Sequence, residues 1–212
     1  MQADDRNNID KSSAHVIHAG SRHLFRYWEA LRAERPCPTR GEVEMAKLVQ
    51  VLPNIAIMQK SETASWHFRL AGSKVCEVLQ KQVTGQEVLL GFDSFERDVI
   101  GKALNLAAER LQPALVRMRL LYTGAQAIAA EMLALPVWDD ASQKVQLLGG
   151  LFAFKGEHDH TKGVLQRREL VSARVIWTEH ENGDNLLDQV GRKAEPRLRI
   201  IQGGLSGSVL NQ

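Results

Sequence analysis

Residues 65–80 read SWHFRLAGSKVCEVLQ, and this stretch predicts a strand, a turn and a short helix in succession. Trp66, Phe68 and Leu70 alternate with polar or small residues, which is the period of two typical of a strand with one buried face. Gly72 ends the strand, and the apolar residues after it have helical spacing. We therefore expect the hydrophobic core to lie against this unit.

The composition limits the class of protein. The chain has 212 residues, of which 44% are hydrophobic, and this is enough for a substantial core. The formal net charge of +2 is too small to indicate a surface for nucleic acid or acidic membrane. The cysteines, Cys37 and Cys76, indicate reduced thiols rather than a disulfide framework. Because we see neither a signal peptide nor an apolar run of roughly 20 residues, we expect a soluble, cytoplasmic protein.

Three further helical segments are predicted besides the short helix after Gly72. An amphipathic helix begins near residue 21 and presents Leu24, Phe25, Trp28 and Leu31 on its apolar face.

Two capping boxes mark the starts of the other helical segments. Thr39–Glu42 has the spacing of a capping box before a short helix that must end by Pro53. Asp93–Glu96 has the same spacing before a helix that we expect to reach about Leu111.

Strand patterns flank the last of these helices. Residues 54–59 predict a strand that forms a hairpin with the one quoted above. Alternating or apolar runs at 116–121, 128–137 and 145–154 predict an antiparallel meander, with Gly149-Gly150 as a bulge or a close backbone approach. Residues 170–177 predict either a further strand or a docked segment.

This order of elements divides the chain into three parts. We expect a disordered tail over residues 1–18, a domain over 19–156, and a partly docked extension over 157–212 in which Arg197–Ile201 returns to the domain. The domain is predicted to be α+β, with helices against an antiparallel sheet.

Four short motifs resemble a known family. They are LFRYWEALRAERP at 24–36, Leu52-Pro53, FRLAGS at 68–73 and VTG at 83–85. They are similar to short bacterial PAS-like proteins, which have a Tyr-Trp-x-x-Leu-Arg start and a Phe-Arg-x-x-Gly-Thr hairpin. The similarity covers roughly residues 22–155. It implies a PAS-like five-stranded antiparallel sheet with helices on one face and a flanking N-terminal helix, serving as a sensory or interaction module without an output enzyme.

A ligand pocket is predicted between the sheet and its helices. Alternation and helical stripes select its wall, which consists of Trp66, Phe68, Leu70, Val99, Met118 and Met132. For the N-terminal helix two interpretations stay open: contact with a second copy in a homodimer, or packing on its own sheet. Both involve Leu24, Phe25, Trp28 and Leu31.

Other reactive residues have simpler interpretations. Cys76 lies in a stretch that resembles the flavin-adduct motif of light-sensing PAS domains, but the Asn and Arg of that motif are absent, so we expect an inert buried thiol. His67 is expected to face solvent rather than ligate haem. Glu157–His160 is interpreted as a solvated loop rather than a metal site. The cofactor, if there is one, stays unknown.

The arginines offer an alternative binding surface. Arg117 and Arg119 share a strand face, and Arg167-Arg168 and Arg197–Arg199 follow. They predict solvated faces or, alternatively, a site for an anionic ligand or acidic partner. No catalytic triad order, carboxylate pair or phosphate loop is evident, so we assign no catalytic residues and do not expect an enzyme.

These observations favour a sensor or adaptor in bacterial signalling. It would bind a small apolar ligand, a signalling protein, or both. The alternatives are a ligand-free protein-interaction module and a regulator that binds anions or nucleic acid through its arginines; the modest net charge argues against nucleic acid.

Overall fold

Within the part of the chain that the structure describes, three helices and three 3-10 turns surround a single sheet. The computed structural model describes residues 15–154 and 163–177 in full, and the backbone of residues 184–185. The helices are α1 (Ala19–Arg32), α2 (Ser73–Val78) and α3 (Ser94–Arg110). The 3-10 turns are Arg40–Glu42, Met45–Leu48 and Leu52–Asn54.

The sheet is antiparallel at every pairing. Its strands are β1 (Ile55–Lys60), β2 (Trp66–Ala71), β3 (Ala114–Tyr122), β4 (Ile128–Asp139), β5 (Lys144–Ala153), β6 (Leu165–Val175) and the two-residue β7 (Asp184–Asn185). Their order across the sheet is β2-β1-β5-β4-β3-β6-β7. The predicted hairpin of β1 with β2 and the meander of β3, β4 and β5 are confirmed, and so is the α+β class. β6 and β7 extend the expected five strands beyond β3.

Both predicted capping boxes are present. At the start of α3, the Glu96 N–H donates to Asp93 Oδ1 at 2.8 Å, and the Asp93 N–H donates to Glu96 Oε2 at 3.0 Å. The Thr39 N–H likewise donates to a Glu42 carboxylate oxygen at 2.7 Å. The expected short α-helix after Thr39 is instead a series of 3-10 turns, because Val43 and the residue after it are extended and interrupt the helix.

A β-bulge changes the pattern of β2. Trp66 and Phe68 are buried as predicted, but Leu70 is 47% exposed. The register shifts between β1 and β2, so that one extra residue, Arg69, lies on β2 between two paired positions. Because an extra residue reverses the alternation of side chains, Leu70 faces away from the core. The prediction that Leu70 lines an interior wall is therefore wrong.

The sheet is covered on both faces. Helices α2 and α3 cover one face, against buried residues that include Met118 and Met132. Helix α1 covers the other face, against buried residues that include Leu133 and Phe152. Successive residues of β4 alternate between these two clusters, and this explains why residues 128–137 form a nearly continuous apolar run.

The domain is longer at both ends than the sequence predicted. The expected disordered tail was to include residues 15–18, but Val16 is 1% exposed and the backbone N–H groups of Ile17 and His18 donate to the Glu131 carboxylate at 3.1 Å. The expected domain end at residue 156 excludes β6, which pairs along its length with β3. The predicted docking of Arg197–Ile201 lies outside the described residues.

Candidate functional site

Five of the six predicted pocket residues lie together in the core. Trp66, Phe68, Val99, Met118 and Met132 are buried in the cluster beneath α2 and α3. Most of them pack among other side chains of that cluster, but Phe68 also lines a cleft at its edge.

This cleft, which we call the β6 cleft, has a volume of about 240 Å³. It lies where β2, the segment after α2, the segment before α3 and the start of β6 converge. Its apolar wall consists of Phe68, Leu79, Val83, Leu90, Val164 and Leu165.

Gln80 fixes the geometry of the β6 cleft. Its Nε2 donates to the Gly163 carbonyl at 2.7 Å, and its Oε1 accepts from the Leu165 N–H at 2.6 Å. A single amide thus bridges the chain after α2 to the start of β6. The mouth of the cleft carries exposed apolar side chains, because Leu90 is 40% and Val164 is 61% exposed.

One buried cation lines the same cleft. Arg168 is 7% exposed, and its Nη1 donates to the Val88 carbonyl at 3.2 Å. Its guanidinium carbon lies 4.5 Å from the centre of the Phe92 ring, within the range of a cation–π interaction. Burial lowers the pKa of Arg168 to about 10, so the group remains a cation at neutral pH.

The neighbouring charges are largely paired. Arg167, the adjacent residue, contacts the Asp93 carboxylate at 3.2 Å and has a half-exposed side chain. Glu87, which also lines the cleft, pairs with Arg97 at 2.8 Å.

A second cleft lies at the opposite end of α3. It has a volume of about 470 Å³, and its lining includes Trp66, Trp138 and Gln146. The Trp66 Nε1–H donates to Asn105 Oδ1 at 3.0 Å, and Gln146 Nε2 donates to Asp139 Oδ2 at 2.9 Å. These donors are bound within the protein and are not available to a ligand.

The structure assigns the apolar face of α1 to the protein's own core. Leu24, Phe25 and Trp28 are 0% exposed, and Leu31 is half-buried. The Trp28 Nε1–H also donates to the Pro136 carbonyl at 2.7 Å, which fixes the helix on β4. A second copy could not reach the three fully buried side chains, so of the two interpretations of this helix the structure favours packing on its own sheet.

The remaining candidates have local partners. His67 Nδ1 lies 3.2 Å from the Ser65 carbonyl oxygen, and the Cys76 Sγ donates to Gln82 Oε1 at 3.4 Å. Cys76 is half-buried rather than fully buried. Within residues 15–154 and 163–177, no three His, Cys, Asp or Glu side chains come together as metal ligands. Glu157–His160 lies outside the described residues.

The other arginines differ in their surroundings. Arg117 Nε contacts the fully buried Glu131 carboxylate at 3.3 Å, whereas Arg119 contacts Glu169 at 3.6 Å near the surface. Arg197–Arg199 lies outside the described residues.

Sequence reasoning did not identify Arg168 or Glu131 as buried charges, although signals for both exist. Glu131 interrupts an apolar run, and a charge in such a position needs a buried partner. Consecutive residues of a strand face opposite sides, so one of Arg167 and Arg168 had to face the core once residues 165–168 were known to be a strand. The sequence instead predicts a further strand or a docked segment only from residue 170.

Comparison with known proteins agrees with this architecture. The sequence profile described as PAS domain matches residues 16–152, which is more than half of the chain. No curated protein matches the chain. Among the described helices, none is both long and apolar enough to cross a membrane. The matched region begins at the docked N-terminal segment and ends in β5, so it contains α1 and the five strands that the resemblance implied, and the chain belongs to the PAS domain family.

Proposed function

We propose that this protein is a non-catalytic sensor or adaptor domain of bacterial signalling, and that its ligand binds in the β6 cleft. Membership in the PAS family supports a role in sensing or signalling. The observation that carries the proposal is the cleft itself, which combines an apolar wall with a buried cation. Such a combination is typical of small-molecule sites.

The position of the cleft supports a signalling role. A ligand there would contact β2, which contributes Phe68, and β6, which contributes Leu165 and Arg168. These strands lie on opposite sides of the central strands β1, β5, β4 and β3. Occupancy would therefore favour the conformations in which β2 and β6 keep a fixed separation. The proposed signal is this shift of population, read by a signalling protein bound near the cleft mouth.

The second candidate is an interaction module that needs no ligand. The observation in its favour is that Leu90 and Val164 are exposed at the mouth of the cleft. Apolar side chains in that position could pack directly against a partner protein. The third candidate, a regulator that binds anions or nucleic acid through surface arginines, has less support, because Arg119 and Arg167 already pair with carboxylates.

We also propose that the protein acts in the cytoplasm, which its free cysteines Cys37 and Cys76 support. A homodimer remains a prediction. Since the apolar face of α1 is occupied, the dimer would use other surfaces, and light scattering during size-exclusion chromatography measures its presence.

A ligand screen with matched variants tests the proposed function. A small amphipathic compound at 100 times its Kd should raise the melting temperature by roughly 5–10 °C. Val164→Trp places a bulky group at the cleft mouth and should abolish the shift, whereas Val171→Trp alters a similarly exposed position on β6 outside the cleft and should retain it.

Hydrogen exchange then separates sensing from binding alone. Under the proposal, a compound found in the screen slows amide exchange in β2 and β6 and also changes it in segments that do not line the cleft. If the screen finds no compound whose stabilising effect is lost in Val164→Trp, the result would favour the ligand-free interaction module. Protection confined to the cleft lining would contradict a sensory role.

A further inference from the structure

We infer that the β6 cleft recognises a small amphipathic carboxylate, whose acid group binds the Arg168 guanidinium while its apolar part contacts the cleft wall. This inference rests on the proposed function, because it takes the cleft as the ligand site and names the chemical class of the ligand.

The strand register directs Arg168 to the inside. Arg168 on β6 pairs with Leu120 on β3, and Leu120 is fully buried in the cluster beneath α2 and α3. Side chains of directly paired residues lie on the same face of a sheet. Arg168 thus reaches the core side, where its guanidinium lies over Phe92, and the residue is part of the cleft lining.

The charge of Arg168 has no carboxylate partner among the residues that the structure describes. The acidic groups near it are already in use: Glu87 pairs with Arg97 at 2.8 Å, and Asp93 pairs with Arg167 at 3.2 Å. The lowered pKa of Arg168 has burial as its cause, with no compensating negative charge. A buried cation without a counter-ion is destabilising, and an anion in the cleft would remove that cost.

The guanidinium has donors to spare. Arginine carries five N–H groups in a planar fork, and the described contacts use one of them, on the Val88 carbonyl. Gly91 allows the backbone to approach this fork, because a Cβ at that position would lie 3.0 Å from Arg168 Nε. Gly91 also has φ of +94°, a conformation that glycine adopts without strain. The Gly91 backbone therefore packs close against this fork, and both residues line the β6 cleft.

The surroundings favour a carboxylate over a phosphate. A carboxylate matches the planar fork of one guanidinium in a bidentate pair. A phosphate dianion would require further buried donors. Lys81 also lines the cleft and has no described carboxylate partner, but its side chain is exposed. The remaining wall is largely apolar. The arrangement thus suits one acid group attached to a compact apolar body.

A titration with matched probes tests this inference. The full chain is titrated by calorimetry with phenylacetate, with phenylacetamide, which has the same shape without the charge, and with inorganic phosphate. We expect phenylacetate to bind at least tenfold more tightly than the other two probes, because a buried hydrogen bond to a charged group exceeds a neutral one by about this factor. Arg168→Gln should lose at least tenfold in phenylacetate affinity, and Arg119→Gln, which removes the same charge from an exposed site, should lose less than twofold.

A second variant keeps the test valid if Arg168→Gln fails to fold. Val164→Glu leaves Arg168 in place and adds a competing carboxylate at the cleft mouth, so it should weaken phenylacetate binding at least tenfold, whereas Val171→Glu should not.

Two results would overturn the inference. One is that phenylacetate and phenylacetamide bind with equal affinity and that both lose affinity when Val164 is replaced. This result would leave the proposed function intact. The other is phenylacetate binding that is unchanged in both Arg168→Gln and Val164→Glu. Conversely, tight Arg168-dependent binding without any change of exchange outside the cleft supports the inference and contradicts the sensory role.

Discussion

Replacing Glu131 with alanine should release the N-terminal segment from the sheet. The Glu131 side chain is 0% exposed and accepts three hydrogen bonds: from the Ile17 N–H at 3.1 Å, the His18 N–H at 3.1 Å and Arg117 Nε at 3.3 Å. The substitution removes the acceptor for all three donors. It also removes the contact that fixes the chain immediately before α1.

The structure sets the size of the effect. Removing one member of a buried ion pair costs about 3–5 kcal/mol. Arg117 is 23% exposed, and the N-terminal segment can detach so that its amides regain water. We therefore expect a loss of about 2–4 kcal/mol in the free energy of unfolding.

Urea denaturation followed by circular dichroism at pH 7 measures this loss. Glu169→Ala is the matched control, because its carboxylate pairs with Arg119 at 3.6 Å near the surface and should contribute about 0–1 kcal/mol. Hydrogen exchange should show loss of protection at the amides of Ile17 and His18 in Glu131→Ala alone. A loss no larger than that of the control, or amides that stay protected, would show that Glu131 does not hold the N-terminal segment on the sheet.

Three further predictions follow from local geometry, each measured by urea denaturation. Gly72→Ala should lower the free energy of unfolding by about 1–3 kcal/mol, because the added Cβ would overlap the Pro53 carbonyl. The control Gly41→Ala places its Cβ in open space and should change that free energy by less than about 0.5 kcal/mol. Equal effects of the two substitutions would contradict this prediction. Burial lowers the pKa of His18, so the unfolded chain binds protons more readily than the folded one, and stability should fall as pH decreases below about 6.5. His18→Asn retains a capping acceptor and should reduce this pH dependence. An unchanged pH profile of stability in this variant would contradict the assignment to His18. Tyr122→Phe should lose about 1–3 kcal/mol, because it leaves a buried carbonyl at the end of α2 without its donor, and a neutral effect would contradict this.

Features controlled by local interactions could be predicted from the sequence. The start of α3 is an example, since Asp93 and Glu96 form their reciprocal hydrogen bonds within one turn. The antiparallel order of β3, β4 and β5 likewise follows from short connections and apolar patterns.

Features controlled by distant partners could not be predicted in this way. The exposure of Leu70 depends on the bulge that β2 forms against β1. The N-terminal residues 15–18 are ordered by Glu131, more than a hundred positions away in the chain.

The candidate site shows the same division. Phe68 was placed correctly on an inward strand face, because alternation is local. The inward orientation of Arg168 depends on the pairing of β6 with β3, and on the segment around Gly91 that the strand meets. Strand alternation indicates that one of Arg167 and Arg168 faces inward, but the partner strand and the contact with Gly91 are distant in the sequence.

A crystal structure of the full chain grown in the presence of phenylacetate tests directly whether the β6 cleft binds a carboxylate at Arg168. We expect electron density for the ligand in the β6 cleft, with both carboxylate oxygens within hydrogen-bonding distance of the Arg168 guanidinium and the ring against the wall that includes Phe68 and Leu165. Phenylacetate bound elsewhere, or a cleft closed by protein side chains with Arg168 paired to a carboxylate of the chain, would contradict this expectation.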